Sequence, residues 1–191
     1  MVTIGVLAVQ GAFVEHEEVL QSIGAECFEI RKASDSMREM DGLILPGGES
    51  TVQGKLMREL GIRDNLYDRI FEGLPVFGTC AGMILLAEHI VDDDRQHLAT
   101  MPITVRRNAY GRQLGSFSTI GSFGDVPGIP MEFIRAPYIE DADDGVEIMT
   151  ICDGKPVAAR YGNQLVTAFH PELTDDTRVH QYFLDIVCGK S

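Results

Sequence analysis

Short runs of hydrophobic residues alternate with helix-like segments through the first half of this chain. The runs are continuous, which is typical of strands covered on both faces in a parallel sheet. They predict strands over residues 3–9, 25–30, 42–45 and 74–77. The spacing of apolar residues between and after them predicts helices over residues 14–23, 34–40, 51–60, 63–71 and 81–87. At the start of the 51–60 helix, Ser50 and Gln53 have the spacing of a capping box.

The pattern becomes β-like after the acidic run at residues 92–94, which we interpret as a solvated loop. Short strands separated by turn residues are predicted over residues 103–106, 116–120, 131–134, 146–152, 156–161 and 165–169. A last helix over residues 175–187 is predicted to begin at Thr174 or Asp175. We therefore expect an α/β fold, a three-layer sandwich whose open, mostly parallel sheet carries an antiparallel extension, in one domain over residues 1–191.

Composition excludes several classes of function. A net charge of −13 argues against a nucleic-acid partner, because phosphate binding needs clustered Lys and Arg. No segment approaches the ~20 apolar residues of a membrane span. The four cysteines have no CxxC pairing, which argues against a zinc site or a disulfide framework and favours a reducing cytoplasm. We expect a cytoplasmic protein that binds neither a membrane nor nucleic acid.

Cys80 lies where the predicted strand at 74–77 turns into the predicted helix at 81–87. Gly78 and Gly82 bracket the turn, as a strand-to-helix elbow requires if its central side chain is to be uncrowded. At such a position the helix N-terminus favours a thiolate. For an arbitrary cysteine, a buried hydrophobic role is the simpler interpretation, but the flanking glycines favour a nucleophile.

A base and a carboxylate follow the last predicted strand. Pro171 biases His170 toward an extended backbone, so His170 and Glu172 should point the same way and Glu172 can orient the imidazole. In open α/β sheets, sites form beyond the carboxyl ends of strands, which would bring both residues to Cys80. The resulting order is nucleophile, base and carboxylate. The other histidines are interpreted as structural or surface residues: His16, His89, His97 and His180.

Two further loops should reach the same edge of the sheet. Gln10-Gly11 follows the first strand, and Gly47-Gly48 follows the third. A Gly-Gly pair is by itself an ordinary turn. Placed after a strand, its N–H groups can approach a developing oxyanion, for which the Ala81 N–H is the natural second donor. The loop lacks the length and the lysine of a phosphate-binding P-loop.

These residues belong to motifs that run through nearly the whole chain. The motifs are Gln10-Gly11 with Glu15-His16, LPGGEST (45–51), GTCAGMILLA (78–87), RNAYGRQ (107–113), FIRAP (133–137) and AFHPELT (168–174). Together they closely resemble the glutaminase subunits of pyridoxal 5′-phosphate synthase, within the class I glutamine amidotransferases. The resemblance implies that family's flavodoxin-like fold and hydrolysis of L-glutamine.

The resemblance also implies a role for each site residue. Cys80 would be the nucleophile, His170 the general base and acid, and Glu172 the residue that orients it. Gly48 and Ala81 would form the oxyanion hole. The remaining matches are to glutamine-contacting positions, namely Gly47, Gly48, Glu49, Arg107, Ile134 and Arg135. Without the motifs, Arg107 and Arg135 would be interpreted as surface salt-bridge residues.

The partners implied by the resemblance are L-glutamine and a separate synthase subunit that receives the ammonia. The glutaminase step needs no cofactor and no metal. Two alternatives remain open: another cysteine hydrolase or deglycase on a similar fold, and a non-catalytic module that serves as a docking surface. The acidic surface could contribute to docking on a basic partner.

Overall fold

The computed structural model describes residues 1–107 and 115–191. Its first strands alternate with helices, whereas strands dominate the second half. The strands are β1 Thr3–Leu7, β2 Glu26–Ile30, β3 Gly42–Leu45, β4 Val76–Thr79, β5 Ala87–Ile90, β6 Met101–Arg106, β7 Ser116–Phe123, β8 Val126–Ile134, β9 Tyr138–Ala142, β10 Glu147–Cys152, β11 Lys155–Tyr161 and β12 Gln164–Thr167. The helices are α1 Phe13–Ser22, α2 Ala33–Ser36, α3 Ser50–Glu59, α4 Arg63–Phe71, α5 Ala81–Leu86 and α6 Arg178–Val187.

Seven strands form the main sheet, in the order β10-β11-β12-β4-β3-β1-β2. The five strands from β12 to β2 pair in parallel, and β11 and β10 extend the sheet antiparallel. A three-stranded sheet, β5-β6-β9, and the antiparallel hairpin β7-β8 lie outside it. The predicted α/β fold with a mostly parallel sheet and an antiparallel extension is confirmed.

Helices cover both faces of the main sheet, and neighbouring residues of β4 show why. Phe77 contacts Phe183 of α6 and His16 of α1, so these two helices share one face. Gly78, the next residue, faces the other way, where a Cβ would lie 2.7 Å from the backbone of Gly82 in α5. Because successive side chains of a strand point to opposite faces, β4 is buried on both sides.

Several predicted boundaries differ from the structure. The sequence pattern missed β5 and β9, which are only four and five residues long, and the helix predicted over 34–40 is limited to α2. The final helix begins at Arg178, because Pro171–Leu173 forms a 3₁₀ turn and Thr174 accepts a hydrogen bond from the Asp176 N–H at 3.3 Å. Two of the strands that lead toward the site end two residues earlier than predicted, β1 at Leu7 and β12 at Thr167.

The predicted capping box at the start of α3 is wrong. Glu49 is the N-cap, and its carboxylate accepts a hydrogen bond from the Thr51 N–H at 3.4 Å. The Gln53 amide instead donates to the carbonyls of Gln10 and Pro46, both at 3.0 Å. Gln53 therefore ties together the loops that follow β1 and β3.

In the two described ranges, no helix combines the length and the apolar character needed to cross a bilayer.

Candidate active site

One cleft of about 1060 Å³ opens at the carboxyl ends of the parallel strands. It collects the loops that follow β1, β3, β4 and β12, together with the end of β8. All but one of the predicted site residues line it: Gly47, Gly48, Glu49, Cys80, Ala81, Arg107, Ile134, Arg135 and His170. The exception is Glu172, which lies behind His170 and is 5% exposed.

Cys80 occupies a strained turn between β4 and α5. Its backbone has φ 49° and ψ −99°, a positive φ that costs a residue other than glycine about 1–3 kcal/mol. The turn is also closely packed, since a Cβ on Gly82 would lie 2.0 Å from the carbonyl oxygen of Leu45. Only glycine lets α5 approach β3 so closely. The expected elbow with flanking glycines is thus present, and the Cys80 Sγ lies 3.9 Å from the carbonyl oxygen of Ile134.

His170 is held between Cys80 and Glu172. Its Nδ1–H donates to Glu172 Oε1 at 2.6 Å, and its backbone N–H donates to the carbonyl of Glu132 in β8 at 2.8 Å. Burial by itself would lower the pKa of His170. Hydrogen bonds to Cys80 and Glu172, and the charges of both groups, outweigh burial and raise that pKa to about 10.

The backbone conformation that brings His170 and Glu172 together differs from the one that the sequence predicted. The expected reason was an extended backbone in which alternate side chains point the same way. His170 does have a near-extended backbone, with φ −107° and ψ 85°, but Glu172 lies in the 3₁₀ turn Pro171–Leu173. The tight turn brings the carboxylate back to the imidazole.

Two side chains anchor the loop that follows β3: Thr79 at the end of β4, and Gln10 in the loop after β1. The Gly47 N–H donates to the hydroxyl of Thr79 at 3.0 Å, and the Glu49 N–H donates to Gln10 Oε1 at 2.8 Å. The Gly47 carbonyl accepts from the Ala12 N–H at 3.0 Å. A Cβ on Gly47 would lie 2.3 Å from Cε1 of His170, so the loop can pass the imidazole only as glycine.

The two predicted oxyanion donors carry free N–H groups. Within residues 1–107 and 115–191, neither the Gly48 N–H nor the Ala81 N–H has a hydrogen-bond partner. Ala81 opens α5 directly after Cys80, where helix N–H groups are unpaired by geometry. Both amides line the cleft beside Cys80 and are available to an incoming oxygen.

The predicted glutamine contacts lie around the mouth of the cleft. Arg135 is exposed and has φ 46°. Arg107 lies 3.3 Å from the Thr51 hydroxyl and 3.5 Å from Asp93. The rest of the RNAYGRQ motif, residues 108–113, falls outside the described residues.

The acidic run at residues 92–94 is only partly the solvated loop that the sequence suggested. The Asp93 side chain is 12% exposed and binds Arg95 through both carboxylate oxygens. Hydrogen bonds from Arg95 lower the pKa of Asp93 well below its usual range. Asp93 also faces Arg107, so this aspartate helps to place a cleft arginine.

Sequence reasoning missed a buried polar cluster beneath the site. His16 of α1, His180 of α6 and Thr79 of β4 are each fully buried, and His16 lies 3.6 Å from Glu172 Oε2. The sequence alone indicates only a structural or surface role for both histidines. The only signal at hand was the Glu15-His16 pair in the family motif, because hydrophobic periodicity says nothing about which helical histidine meets which carboxylate.

The chain matches a known protein family over nearly its whole length. The model of the SNO glutamine amidotransferase family matches residues 6–188. This chain belongs to that family. The resemblance inferred from the motifs is therefore confirmed at the level of the family.

Similar chains come from several organisms. A pyridoxal 5′-phosphate synthase subunit PdxT from Desulfitobacterium hafniense is 57% identical over 98% of this chain and 95% of its own length. Proteins with the same name from Streptococcus pneumoniae and Methanocorpusculum labreanum are 52% and 54% identical, over 98% and 97% of this chain and 99% and 98% of their own.

Solved structures give the same result. A crystal structure of a glutamine amidotransferase superposes with a TM-score of 0.92 at 44% identity, covering 97% of this chain and 98% of its own. A glutamine amidotransferase from Thermotoga maritima has a TM-score of 0.64 at 14% identity, covering 99% of this chain and 85% of its own. At that identity the likeness concerns the fold alone.

Proposed function

We propose that this chain is the glutaminase subunit of a pyridoxal 5′-phosphate synthase. It would hydrolyse the side-chain amide of L-glutamine to glutamate and ammonia, and the ammonia would pass to a separate synthase subunit. The observation that carries the proposal is that one cleft brings together Cys80, on its elbow, and His170, whose Nδ1–H donates to Glu172 Oε1 at 2.6 Å. Membership of the SNO glutamine amidotransferase family supports it.

In the proposed reaction, each of these groups has a defined role. The Cys80 thiolate attacks the amide carbon, and the Gly48 and Ala81 N–H groups stabilise the oxyanion. His170, held protonated by its partners, gives its proton to the departing ammonia, then takes a proton from the water that cleaves the thioester. Glu172 orients the imidazole through both steps.

The mouth of the cleft offers the charges that an α-amino acid needs. The Glu49 carboxylate can accept the ammonium group of glutamine, and the guanidinium groups of Arg107 and Arg135 can bind its carboxylate. The described residues include no hydrogen-bond or ion-pair partner for the Arg135 side chain. Gly47 and Ile134, which line the cleft together with Cys80, complete the predicted substrate contacts.

The proposal extends to the organisation of the protein. We expect residues 1–191 to act as one glutamine amidotransferase domain in the cytoplasm, with pyridoxal 5′-phosphate as a product of the complex and not a cofactor of this subunit.

One experiment tests activity and partner together. The chain is incubated with L-glutamine and a cognate synthase subunit, its pentose phosphate and its triose phosphate, and glutamate and pyridoxal 5′-phosphate are both measured. We expect both products, and asparagine in place of glutamine should yield neither. Release of ammonia from other amides at a comparable rate would favour a general cysteine hydrolase. Absence of glutamate release would contradict the proposed function.

A further inference from the structure

A pair of buried histidines lies directly beneath the carboxylate of Glu172. His16 Nδ1 and His180 Nε2 are 2.9 Å apart, although the two residues are separated by 164 positions in the chain. His16 Nε2 lies 3.0 Å from the Thr79 hydroxyl and 3.6 Å from Glu172 Oε2. One imidazole thus faces three other polar side chains in a region closed to water.

The surroundings of His16 select one tautomer of its ring. Glu172 Oε1 accepts from His170, whereas Oε2 has no hydrogen-bond partner within the described residues and faces His16 Nε2. A lone pair on His16 Nε2 would be repelled by the negative charge of the Glu172 carboxylate, whereas an N–H on Nε2 is attracted to it. We therefore assign the hydrogen to Nε2, which leaves Nδ1 to accept from the His180 Nε2–H.

His16 stays neutral in this position. Burial, followed by the neighbouring His180 and His170, lowers its pKa well below the usual value. Burial also lowers the pKa of His180, to about 4. A neutral ring with its N–H on Nε2 is a fixed dipole that points at Thr79 and Glu172.

Thr79 connects this dipole to the opposite side of the cleft. Its hydroxyl contacts His16 at 3.0 Å and accepts the Gly47 N–H at 3.0 Å. His16 therefore contacts both the carboxylate that orients His170 and the hydroxyl that anchors the loop of the proposed oxyanion donor. Among the described residues, no other side chain has a hydrogen bond or an ion pair with both groups.

We propose that His16 is a positioning residue of the glutaminase reaction. Its Nε2–H, held in place by His180, fixes the position of Glu172 relative to the Gly47 loop that Thr79 anchors. The inference rests on the proposed function. It predicts that the donor at the Nε2 position matters for turnover and that the Nδ1 position matters less.

Two conservative substitutions separate these positions. In His16→Gln the side-chain amide reaches the place of Nε2, whereas in His16→Asn it reaches only the place of Nδ1. In the complex with a cognate synthase, we expect kcat within about threefold of wild type for His16→Gln and lowered about 30-fold for His16→Asn, with KM unchanged within about twofold. Melting temperatures and synthase binding are measured for each variant.

His97 provides the matched control. It is equally buried, and neither ring nitrogen has a hydrogen-bond partner in the described ranges. His97→Gln and His97→Asn should therefore have the same kcat. A similar split at His97, or equal kcat values for the two His16 variants, would overturn the proposal.

A second readout does not depend on glutamine turnover. The rate at which iodoacetamide alkylates Cys80, followed on its own peptide by mass spectrometry, reports how well Glu172 supports His170 beside the thiol. We expect about a tenfold slower reaction in His16→Asn than in His16→Gln. If the wild-type complex released no glutamate, the proposed function would fail and this comparison would still decide the role of His16. Equal alkylation rates would overturn it.

Discussion

His170 and the His16–His180 pair are close neighbours, yet their surroundings move their pKa values in opposite directions. All three rings are buried, and burial lowers the pKa of each. Hydrogen bonds and charges from Cys80 and Glu172 reverse the effect for His170 and raise its pKa to about 10. No such reversal occurs at His16 and His180, which burial keeps neutral, helped at His16 by the charges of His180 and His170. The same residue type therefore supplies a proton on the cleft side and a fixed dipole on the buried side.

This contrast separates the groups that react with substrate from the groups that hold them in position. The cleft side consists of loops with free N–H groups and a charged pair, which suits a changing substrate. The buried side consists of neutral rings and a hydroxyl with fixed partners, which suits positioning. We expect the largest effects on turnover from changes at the nucleophile and the oxyanion loop of the cleft side.

Replacing the nucleophile should have the largest effect. Cys80→Ala should lower kcat for glutamine hydrolysis by about 10³-fold or more, because no other group in the cleft can form the thioester. Folding and synthase binding should persist, since alanine fits the elbow. Glutamate release by the complex and a pull-down with the synthase measure both. Cys188→Ala, at an exposed cysteine, is the control, and residual activity of Cys80→Ala within tenfold of wild type would defeat the assignment.

Docking of the synthase should have the next largest effect. The loop at Gly47-Gly48 is anchored through Thr79 and Gln10, but its glycines leave the backbone free enough for a docked partner to change its conformation. We expect glutamine hydrolysis by the isolated chain to be about 10²-fold slower than in the complex, comparable to losing one oxyanion donor. Initial rates with and without the synthase check this, and equal rates would mean that no such switch exists.

The neutral state of His180 should make the free energy of unfolding depend on pH. Because its pKa is about 4 when folded and about 6.5 when unfolded, the unfolded state binds the extra proton first as the pH falls. Stability is therefore lost below pH 6.5 and levels off below pH 4. Between pH 7 and pH 5 this residue should account for about 2 kcal/mol of the decrease.

The measurement is urea unfolding of His180→Leu and wild type at the two pH values. We expect the decrease in the free energy of unfolding to be about 2 kcal/mol smaller in His180→Leu. His89→Leu, at an exposed histidine of β5, is the control for changing a histidine elsewhere. An unchanged pH dependence in His180→Leu would contradict the neutral pair.

The smallest effect is expected at the mouth of the cleft. Glu49→Gln removes the charge proposed to bind the ammonium group of glutamine, but its amide oxygen can still accept from the Thr51 N–H and cap α3. We expect KM to rise about tenfold with kcat nearly unchanged. Steady-state kinetics of the complex measure both constants, with Glu59→Gln at the end of α3 as the control. An unchanged KM would exclude Glu49 from substrate binding.

Much of the fold and the gathering of the site residues could be predicted from local features. Continuous hydrophobic runs indicated the parallel strands, and the glycines around Cys80 indicated the elbow. Because carboxyl ends of parallel strands share one edge, Cys80, His170 and Gly47 could be expected together. The short strands β5 and β9 could not be predicted, because four or five residues contain too few repeats of the alternation between hydrophobic and polar positions. The late start of α6 depended on a 3₁₀ turn that the sequence did not signal.

The sequence by itself determined the order of the elements, the elbow at Cys80 and the family, because each depends on residues close together in the chain or on whole motifs. Only the tertiary structure decided that Glu172 reaches His170 through a tight turn, that Asp93 faces Arg107, and that His16 meets His180. The physical reason is that burial and hydrogen-bond partners set the charge of a histidine. For His16 those partners are 63 and 164 residues away in the chain, where no local pattern can indicate them.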